Sequence, residues 1–265
     1  MKLKSVKILA VVLVFLVSGC SKSQQKSVTV KEINVACGET VQALLKEAIP
    51  YMEAKGYKMK YTLFDNNRNT LAALNDGSVD AVFAVHKPFM QSFNEAAGAD
   101  LIMQEPYVYT VGMGLFSDKY DSIAAIPEGA TITIANDAMN MDRGLRILEF
   151  AGLIVLNPDV ERATVIDIKE NPKKLKFVDM DQTQLVRTLE SADGTVAFFS
   201  HMKNAGRDFN AYLARDEDAT QYPIGLVIKP ASKDEAWVAD IIAVLRSEPV
   251  KAFANEYYGG LYEYY

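Results

Sequence analysis

The chain has few cysteines, few histidines and no long apolar run. It holds two cysteines and two histidines among 265 residues. Cys20 ends an N-terminal processing signal, so Cys37 is the one cysteine that follows this signal and no intramolecular disulfide is expected. The N-terminal apolar run, residues 8–17, has ten members, whereas a membrane-spanning helix needs about 20. These scarcities exclude a disulfide-stapled fold and argue against a membrane-spanning helix in this run.

Positive charge is also scarce. The 28 lysines and arginines are outnumbered by 34 aspartates and glutamates, which gives a formal charge of −6. No basic patch is visible, so we predict no nucleic-acid partner. The 49% of hydrophobic and 23% of charged residues are typical of a globular protein. The length allows one large α/β domain or two lobes of ordinary size.

The first 19 residues are typical of an export signal that is removed. Three lysines precede the apolar run, which ends in the sequence SGC at residues 18–20. This end resembles the bacterial lipobox, which implies cleavage before Cys20 and lipidation of its thiol. Acyl chains contribute about 0.8 kcal/mol per buried CH₂ and would anchor the protein to a lipid bilayer. We therefore predict a signal peptide (1–19), a lipidated tether (20–30) and an extracytoplasmic chain on the inner, outer or Gram-positive membrane. The alternative is a secreted protein with a free Cys20.

A buried strand leads directly into a polar pair at residues 79–90. Six of the seven residues from 79 to 85 are apolar, which predicts a strand in the middle of a parallel sheet. His86 and Lys87 follow at once, and Pro88 suits the first turn of a helix. The carboxyl ends of such strands are where ligands bind in open α/β sheets. This location makes His86 a candidate site residue.

Alternating strand and helix patterns fill both halves of the chain and predict an α/β fold. Residues 107–116 form an unusually long extended segment with glycines at 112 and 114. The glycines could be part of a nucleotide motif, but no helix with a third glycine follows. We interpret the segment instead as a strand that leaves one lobe and enters another, and residues 222–228 as the returning strand. Each lobe would have a central, mostly parallel sheet, and the two crossing strands would form a hinge. The predicted lobes are 31–109 plus 223–265, and 110–222.

Three local expectations are specific enough to check. Thr40 is predicted to cap the first helix, because apolar residues at helical spacing follow it. Residues 164–168 are predicted as a strand, and residues 181–189 as a helix. The tyrosine-rich C-terminus has no pattern that suggests a function.

Several motifs in register resemble one family. They are HKPF at 86–89, NDAMNMDR at 136–143, ENPKKLKFVDMDQTQL at 170–185 and YVY at 107–109. Together they resemble the methionine-binding lipoproteins, also called NlpA or MetQ, which are the extracytoplasmic binding components of methionine ABC importers. The agreement runs from about residue 33 to 260. The resemblance implies a periplasmic-binding-protein fold (type II-like), an amino-acid-like ligand held between the lobes, and an ABC permease as partner. It implies no cofactor or metal.

The resemblance also implies roles for individual residues. Arg143 matches the arginine that pairs the ligand carboxylate, a task for which its planar fork of donors is suited. His86 and Tyr109 match cleft-lining positions, and Asn140 matches a supporting asparagine. Tyr222 lies near a predicted crossover, where an aromatic face would contact an apolar side chain. For Arg143 the alternative is a structural ion pair with Asp142 or Glu149; His86 could be a core histidine and the tyrosines ordinary packing.

Two departures from the family pattern bear on the ligand. The family asparagines that hold the ligand's polar groups fall on Ser200 and Gly225 in this chain. A lost hydrogen bond to a charged group costs about 1.5–3 kcal/mol. The ligand could therefore be another amino acid, a short peptide, or a sulfonate- or thiamine-like molecule.

Two other classes of function stay open from the residues. One is an enzyme that uses the Cys37 thiol beside His86, although no oxyanion element is apparent and we predict that the protein is not an enzyme. The other is a surface interaction lipoprotein whose cleft has decayed.

Overall fold

The structure is a computed structural model that describes residues 30–265. The predicted signal peptide, Cys20 and all of the predicted tether except Val30 lie outside the described residues. Within 30–265, no helix combines the length and the apolarity that crossing a membrane requires.

Thirteen strands and seven α-helices make up the described chain. The strands are β1 (Lys31–Cys37), β2 (Tyr57–Leu63), β3 (Ala81–Val82), β4 (Ile102–Val111), β5 (Met113–Phe116), β6 (Thr131–Ala135), β7 (Val155–Leu156), β8 (Ile168–Glu170), β9 (Lys176–Met180), β10 (Gly194–Phe198), β11 (Ala214–Arg215), β12 (Ile224–Ile228) and β13 (Tyr262–Tyr264). The helices are α1 (Glu39–Ala54), α2 (Asn67–Asp76), α3 (Lys87–Ala97), α4 (Ala138–Phe150), α5 (Phe199–Asn204), α6 (Ala236–Leu245) and α7 (Glu248–Tyr258).

The strands form two principal sheets. The first has six strands in the order β13-β4-β12-β3-β1-β2, and the second has five in the order β11-β5-β10-β6-β9. A separate two-stranded sheet joins β7 to β8. In the first sheet only β1, β2 and β3 run parallel, and in the second only β6, β9 and β10 do. Each sheet is thus mixed rather than mostly parallel, because the strands next to the crossings pair antiparallel with the βαβ units.

Within residues 30–265 the chain passes between the sheets twice. The first passage is the predicted long strand: β4 ends at Val111 in one sheet and β5 begins at Met113 in the other. Gly112 stands between them, and a Cβ on it would lie 2.6 Å from the Phe199 ring. The second passage differs from the prediction, because it is a turn with a 3₁₀ segment (Ala219–Gln221) and not a strand. The Asp218 side chain accepts a hydrogen bond from the Thr220 N–H and so favours the turn.

Of the local predictions, one is confirmed and others are wrong. Pro88 lies in the first turn of α3, as predicted, and His86 is the N-cap. Helix α1, in contrast, begins before Thr40 and has Gly38 as its N-cap. The strand predicted at 164–168 is a 3₁₀ turn closed by hydrogen bonds between Thr164 and Asp167.

The helix predicted at 181–189 is replaced by a turn and a 3₁₀ helix, Leu185–Glu190. Here the Thr188 hydroxyl donates to the Leu185 carbonyl and also contacts the hydroxyls of Thr133 and Thr195. These side-chain bonds compete with the hydrogen bonds of a regular α-helix.

Candidate ligand-binding cleft

A cavity of about 560 Å³ lies between the two principal sheets. Most of its walls come from the segments that follow the carboxyl ends of the parallel strands in both sheets, and the rest comes from β4, β12 and β13. On the first sheet these segments follow β1, β2 and β3, and on the second they follow β6, β9 and β10. This is where the strand pattern places a ligand in an open α/β sheet.

Four of the predicted site residues line this cavity, namely His86, Tyr109, Asn140 and Ser200. Arg143, Tyr222 and Gly225 do not line it.

His86 bridges the two sides of the cleft. Its Nδ1 accepts a hydrogen bond from the Phe89 N–H at 3.2 Å, which caps α3. Nδ1 is therefore unprotonated, and Nε2 carries the proton that it donates to Asn140 Oδ1 at 2.9 Å. Burial, together with the nearby positive charge of Arg143, lowers the pKa of His86 to about 3. The imidazole is thus neutral at physiological pH and joins the start of α3 to the start of α4.

Asn140 occupies the first turn of α4, and hydrogen bonds fix both its backbone N–H and its side-chain amide. Asp137 caps the helix by accepting from the Asn140 N–H at 2.9 Å, and its other oxygen accepts from Asn140 Nδ2 at 2.9 Å. The same Nδ2 also lies 3.3 Å from Gln182 Oε1. Burial raises the pKa of Asp137. The Asn140 amide is thereby oriented with its oxygen toward His86.

Arg143 is 1% exposed and forms an ion pair with Asp216. Its Nε lies 3.1 Å from Asp216 Oδ2, and its Nη2 contacts the same oxygen and donates to the Val111 carbonyl at 2.8 Å. Nη1 is buried and has no hydrogen-bond partner among the described residues. Burial lowers the pKa of Arg143, while the Asp216 carboxylate opposes this shift.

The ion pair differs from the alternatives that the sequence suggested. Asp142 and Glu149 pair with Arg146 instead, at 3.3 and 3.9 Å. Asp216 is 73 residues beyond Arg143 in the chain, so no local pattern could have indicated it.

Two aromatic rings pack on the Arg143 guanidinium. The Tyr222 ring centroid lies 3.9 Å from Cζ, and that of Phe198 lies 5.3 Å away. Tyr222 also meets His86 edge-on, with 5.3 Å between the ring centroids. Phe198 lines the cavity, so the guanidinium lies one aromatic layer from it.

Gly225 is turned away from the cavity. A Cβ on this residue would lie 3.1 Å from Met103 and 3.4 Å from Tyr107. Its neighbour Ile224 lines the cavity and forms an antiparallel bridge with His86. Because successive side chains of a strand point to opposite faces, Ile224 is the residue of β12 that a ligand would meet.

Several lining residues were missed from the sequence. Gln182 lies inside the motif at residues 170–185, which is a signal that could have identified it. Phe198, Ile224 and Tyr262 are apolar or aromatic residues within ordinary strand patterns and carry no separate signal.

Known proteins resemble this chain over most of its length. The model of the NlpA lipoprotein family matches residues 33–263. The chain is 30% identical over 264 residues to the methionine-binding lipoprotein MetQ of Bacillus subtilis, with 95% of each chain covered.

Solved structures share the fold. The substrate binding protein of a methionine transporter from Streptococcus pneumoniae has a TM-score of 0.83 and 27% identity, covering 88% of this chain and 95% of that one. A nutrient binding protein from Burkholderia cenocepacia, bound to methionine, has a TM-score of 0.81 and 28% identity, covering 88% and 99%. These similarities confirm the predicted α/β fold of a substrate-binding protein.

Proposed function

This chain belongs to the NlpA lipoprotein family, and on that premise we propose that it is the substrate-binding lipoprotein of an ABC importer. It captures methionine, or an amino acid of similar chemistry, on the extracytoplasmic side and delivers it to the membrane permease. The names of its relatives support this function: one is a methionine-binding lipoprotein, and a solved structure at 28% identity was obtained bound to methionine.

The cavity between the sheets is the main support for a small ligand. Its volume of about 560 Å³ lies within the range of about 300–1,000 Å³ that is usual for small-molecule sites. Walls from both sheets surround it, so a ligand there would contact both sides at once. Two passages of chain connect these sides, which is the arrangement expected for hinge closure.

Charge balance favours a zwitterion. Arg143 and Asp216 form a pair of zero net charge in a buried position. The cavity lining also contains Glu39, Asp65 and Arg187, which together carry a charge of −1. A ligand with a net negative charge would add to this excess, which is costly away from water. A neutral amino acid brings one carboxylate and one ammonium group and adds no net charge.

In this proposal the ligand carboxylate accepts a hydrogen bond from Nη1 of Arg143, the guanidinium nitrogen without a partner among the described residues. The Tyr222 ring covers the guanidinium at 3.9 Å. Tyr222 does not line the cavity, whereas Phe198, the second ring on the guanidinium, does, so the Phe198 ring has to turn aside for the carboxylate to reach Nη1.

The anchor completes the proposed role. The cysteine that ends the processing signal, Cys20, would be lipidated and hold the chain on the bilayer near the permease. A tethered receptor can then meet its permease without diffusing away from the membrane.

A different ligand of the same cleft is the second candidate, and one observation favours it. Asp216 already accepts from two nitrogens of Arg143, so the full bidentate grip that a free carboxylate would make is not available. Another zwitterion or a short peptide, recognised partly by the residues that line the cavity, would suit such a site.

The environment of Cys37 is that of a core residue. The thiol is fully buried, burial raises its pKa to about 12, and Cys37 does not line the cavity. A protonated thiol is a poor nucleophile, so these properties speak against an enzyme that uses Cys37 on a ligand in the cleft.

Ligand-dependent stability tests the proposal. The full-length lipoprotein, purified in detergent, would be melted with L-methionine, D-methionine, glutamate and apolar dipeptides, followed by calorimetric titration. A ligand at 100 times its Kd stabilises the fold by about 2.7 kcal/mol. We expect a clear rise in Tm with methionine and none with glutamate, which carries a net charge.

The other outcomes are equally informative. A rise in Tm only with a dipeptide or another zwitterion would identify that molecule, instead of methionine, as the ligand. If no small molecule raised the Tm, the transport function would be rejected in favour of a surface interaction lipoprotein.

A further inference from the structure

The tyrosine-rich C-terminus forms a strand at the edge of the first sheet. β13 pairs antiparallel with β4, with Tyr262 opposite Val111 and Tyr264 opposite Tyr109. Tyr262 and Tyr264 are two positions apart and share a face of the sheet. Glu263 points to the other face and pairs with Arg215 at 3.3 Å. The C-terminus is therefore a fixed part of the structure next to the first passage.

Tyr262 places an aromatic ring in the cavity wall. Its ring stacks on Tyr109, with 4.1 Å between the centroids and 26° between the planes. Its hydroxyl donates to the Thr40 carbonyl at 2.7 Å, which ties the strand to the start of α1. Both tyrosines line the cavity, whereas Tyr264, which belongs to the same cluster, does not.

The Tyr109 hydroxyl is an unused hydrogen-bond donor in this wall. Tyr109 is fully buried, and its hydroxyl has no hydrogen-bond partner among the described residues. Buried polar groups are nearly always paired. The hydroxyls of Tyr258 and Tyr264 in the same cluster also have no partner among the described residues, but neither residue lines the cavity, so of the three only the Tyr109 hydroxyl is a candidate partner for a ligand. A phenylalanine at position 109 would fill the same space without the cost of an unpaired hydroxyl, so the tyrosine there indicates a use for that hydroxyl.

We propose that Tyr262, stacked on Tyr109, forms the wall that receives the sulfur-bearing end of the ligand side chain. This inference rests on the proposed function and concerns the opposite end of the ligand from the carboxylate. A thioether makes favourable contacts with aromatic rings and is a weak hydrogen-bond acceptor. The stacked pair supplies both the rings and, from Tyr109, the donor. The C-terminal strand is thereby a specificity element of the cleft.

Norleucine provides the test because it replaces the methionine sulfur with CH₂ and keeps the length of the side chain. The ratio of the Kd for norleucine to the Kd for methionine measures the contribution of the sulfur alone. Sulfur–aromatic contacts correspond to about a 2- to 12-fold preference for methionine in the full-length protein. A loss of stability or of general fit would weaken both ligands together and leave the ratio unchanged.

Tyr262→Leu is the informative variant, and Tyr264→Leu is its matched control. Both remove one ring from the same strand and the same cluster, but only Tyr262 lines the cavity. We expect the ratio to fall toward one in Tyr262→Leu and to keep its wild-type value in Tyr264→Leu. Tyr109→Phe retains the ring and removes only the donor, so it tests the hydroxyl even if Tyr262→Leu does not fold.

Three results would overturn the inference. One is a wild-type ratio of one, and another is a ratio that Tyr262→Leu and Tyr109→Phe leave unchanged while the wild-type protein binds methionine. The third is a wild-type protein that binds no methionine, which would reject the proposed ligand as well and is thereby distinguishable from the other two.

Discussion

Asp216 connects Arg143 to both passages between the sheets. Its Oδ2 accepts from the guanidinium of Arg143 on α4, and its Oδ1 accepts from the Met113 N–H at 3.3 Å. Its own N–H donates to the Met113 carbonyl at 3.0 Å. Met113 begins β5 directly after the first passage, and Asp216 begins the second. A ligand that contacts Arg143 would thus act next to the segments that have to bend during closure.

Arg143→Ala should abolish the binding of any carboxylate ligand and also destabilise the fold. Removing one partner of a buried ion pair leaves the other charge uncompensated, at a cost of about 3–5 kcal/mol. Urea denaturation would measure the free energy of unfolding, and calorimetric titration would measure the binding of methionine.

The double variant Arg143→Met/Asp216→Leu separates the two effects. Apolar residues of similar volume often replace a buried pair without loss of stability, so we expect stability near that of the wild type and still no binding. If either variant bound methionine with wild-type affinity, Arg143 would have no place in the site.

The position of the cleft could be predicted from the sequence because it depends on strand ends. The apolar run before His86 and the cap before Arg143 mark where strands stop and helices begin, and parallel strands bring such points to one edge. The partner of Arg143 could not be predicted, because Asp216 is distant in sequence and reaches it only through the fold.

The orientation of β12 shows a second limit. A shift of one residue decides whether Gly225 or Ile224 faces the ligand, and the motif pattern does not specify that register. The tyrosines of β13 had no periodic signal either, since a strand of three residues is too short to show one.

Gly112→Ala should destabilise the protein by about 1–3 kcal/mol, the usual cost of overpacking. The added methyl group would meet the Phe199 ring at 2.6 Å, and the ring is buried. Urea denaturation would measure the effect. Phe199→Leu in the same background should recover part of the loss by making room. Equal stability of Gly112→Ala and wild type would show that the ring moves freely.

His86 should make the fold less stable in acid. Its pKa is about 3 in the folded state and about 6.5 in an unfolded chain, so the unfolded state binds more protons between these values. The contribution of neutral His86 to the free energy of unfolding is then fully present above pH 6.5. It decreases as the pH falls toward 3, by up to about 1.4 kcal/mol per pH unit. The free energy of unfolding, measured by urea denaturation at several pH values between 7 and 4, should depend less steeply on pH in His86→Gln than in the wild type. The same pH dependence in both proteins would mean that folding does not lower the pKa of His86.

Asn66 should contribute to closure through a hydrogen bond across the cleft. Its Oδ1 caps α2 by accepting from the Arg68 N–H at 2.7 Å, and its Nδ2 donates to Asp181 Oδ2 at 2.7 Å. Asn66→Asp keeps the cap, loses the donor and places two carboxylates together. A hydrogen bond to a charged group contributes about 1.5–3 kcal/mol, so the affinity for methionine should fall by about tenfold or more.

An exchange of the two side chains makes this prediction specific. In Asn66→Asp/Asp181→Asn the amide lies on the other side of the cleft, where it can donate to the new carboxylate and restore the affinity. Glu95→Gln is the control, because the Glu95–Arg162 pair is exposed at 3.2 Å and such pairs contribute about 0–1 kcal/mol. Calorimetric titration of the four proteins would compare their Kd values. An unchanged Kd in Asn66→Asp, or no recovery in the exchange variant, would show that this bond does not hold the cleft closed.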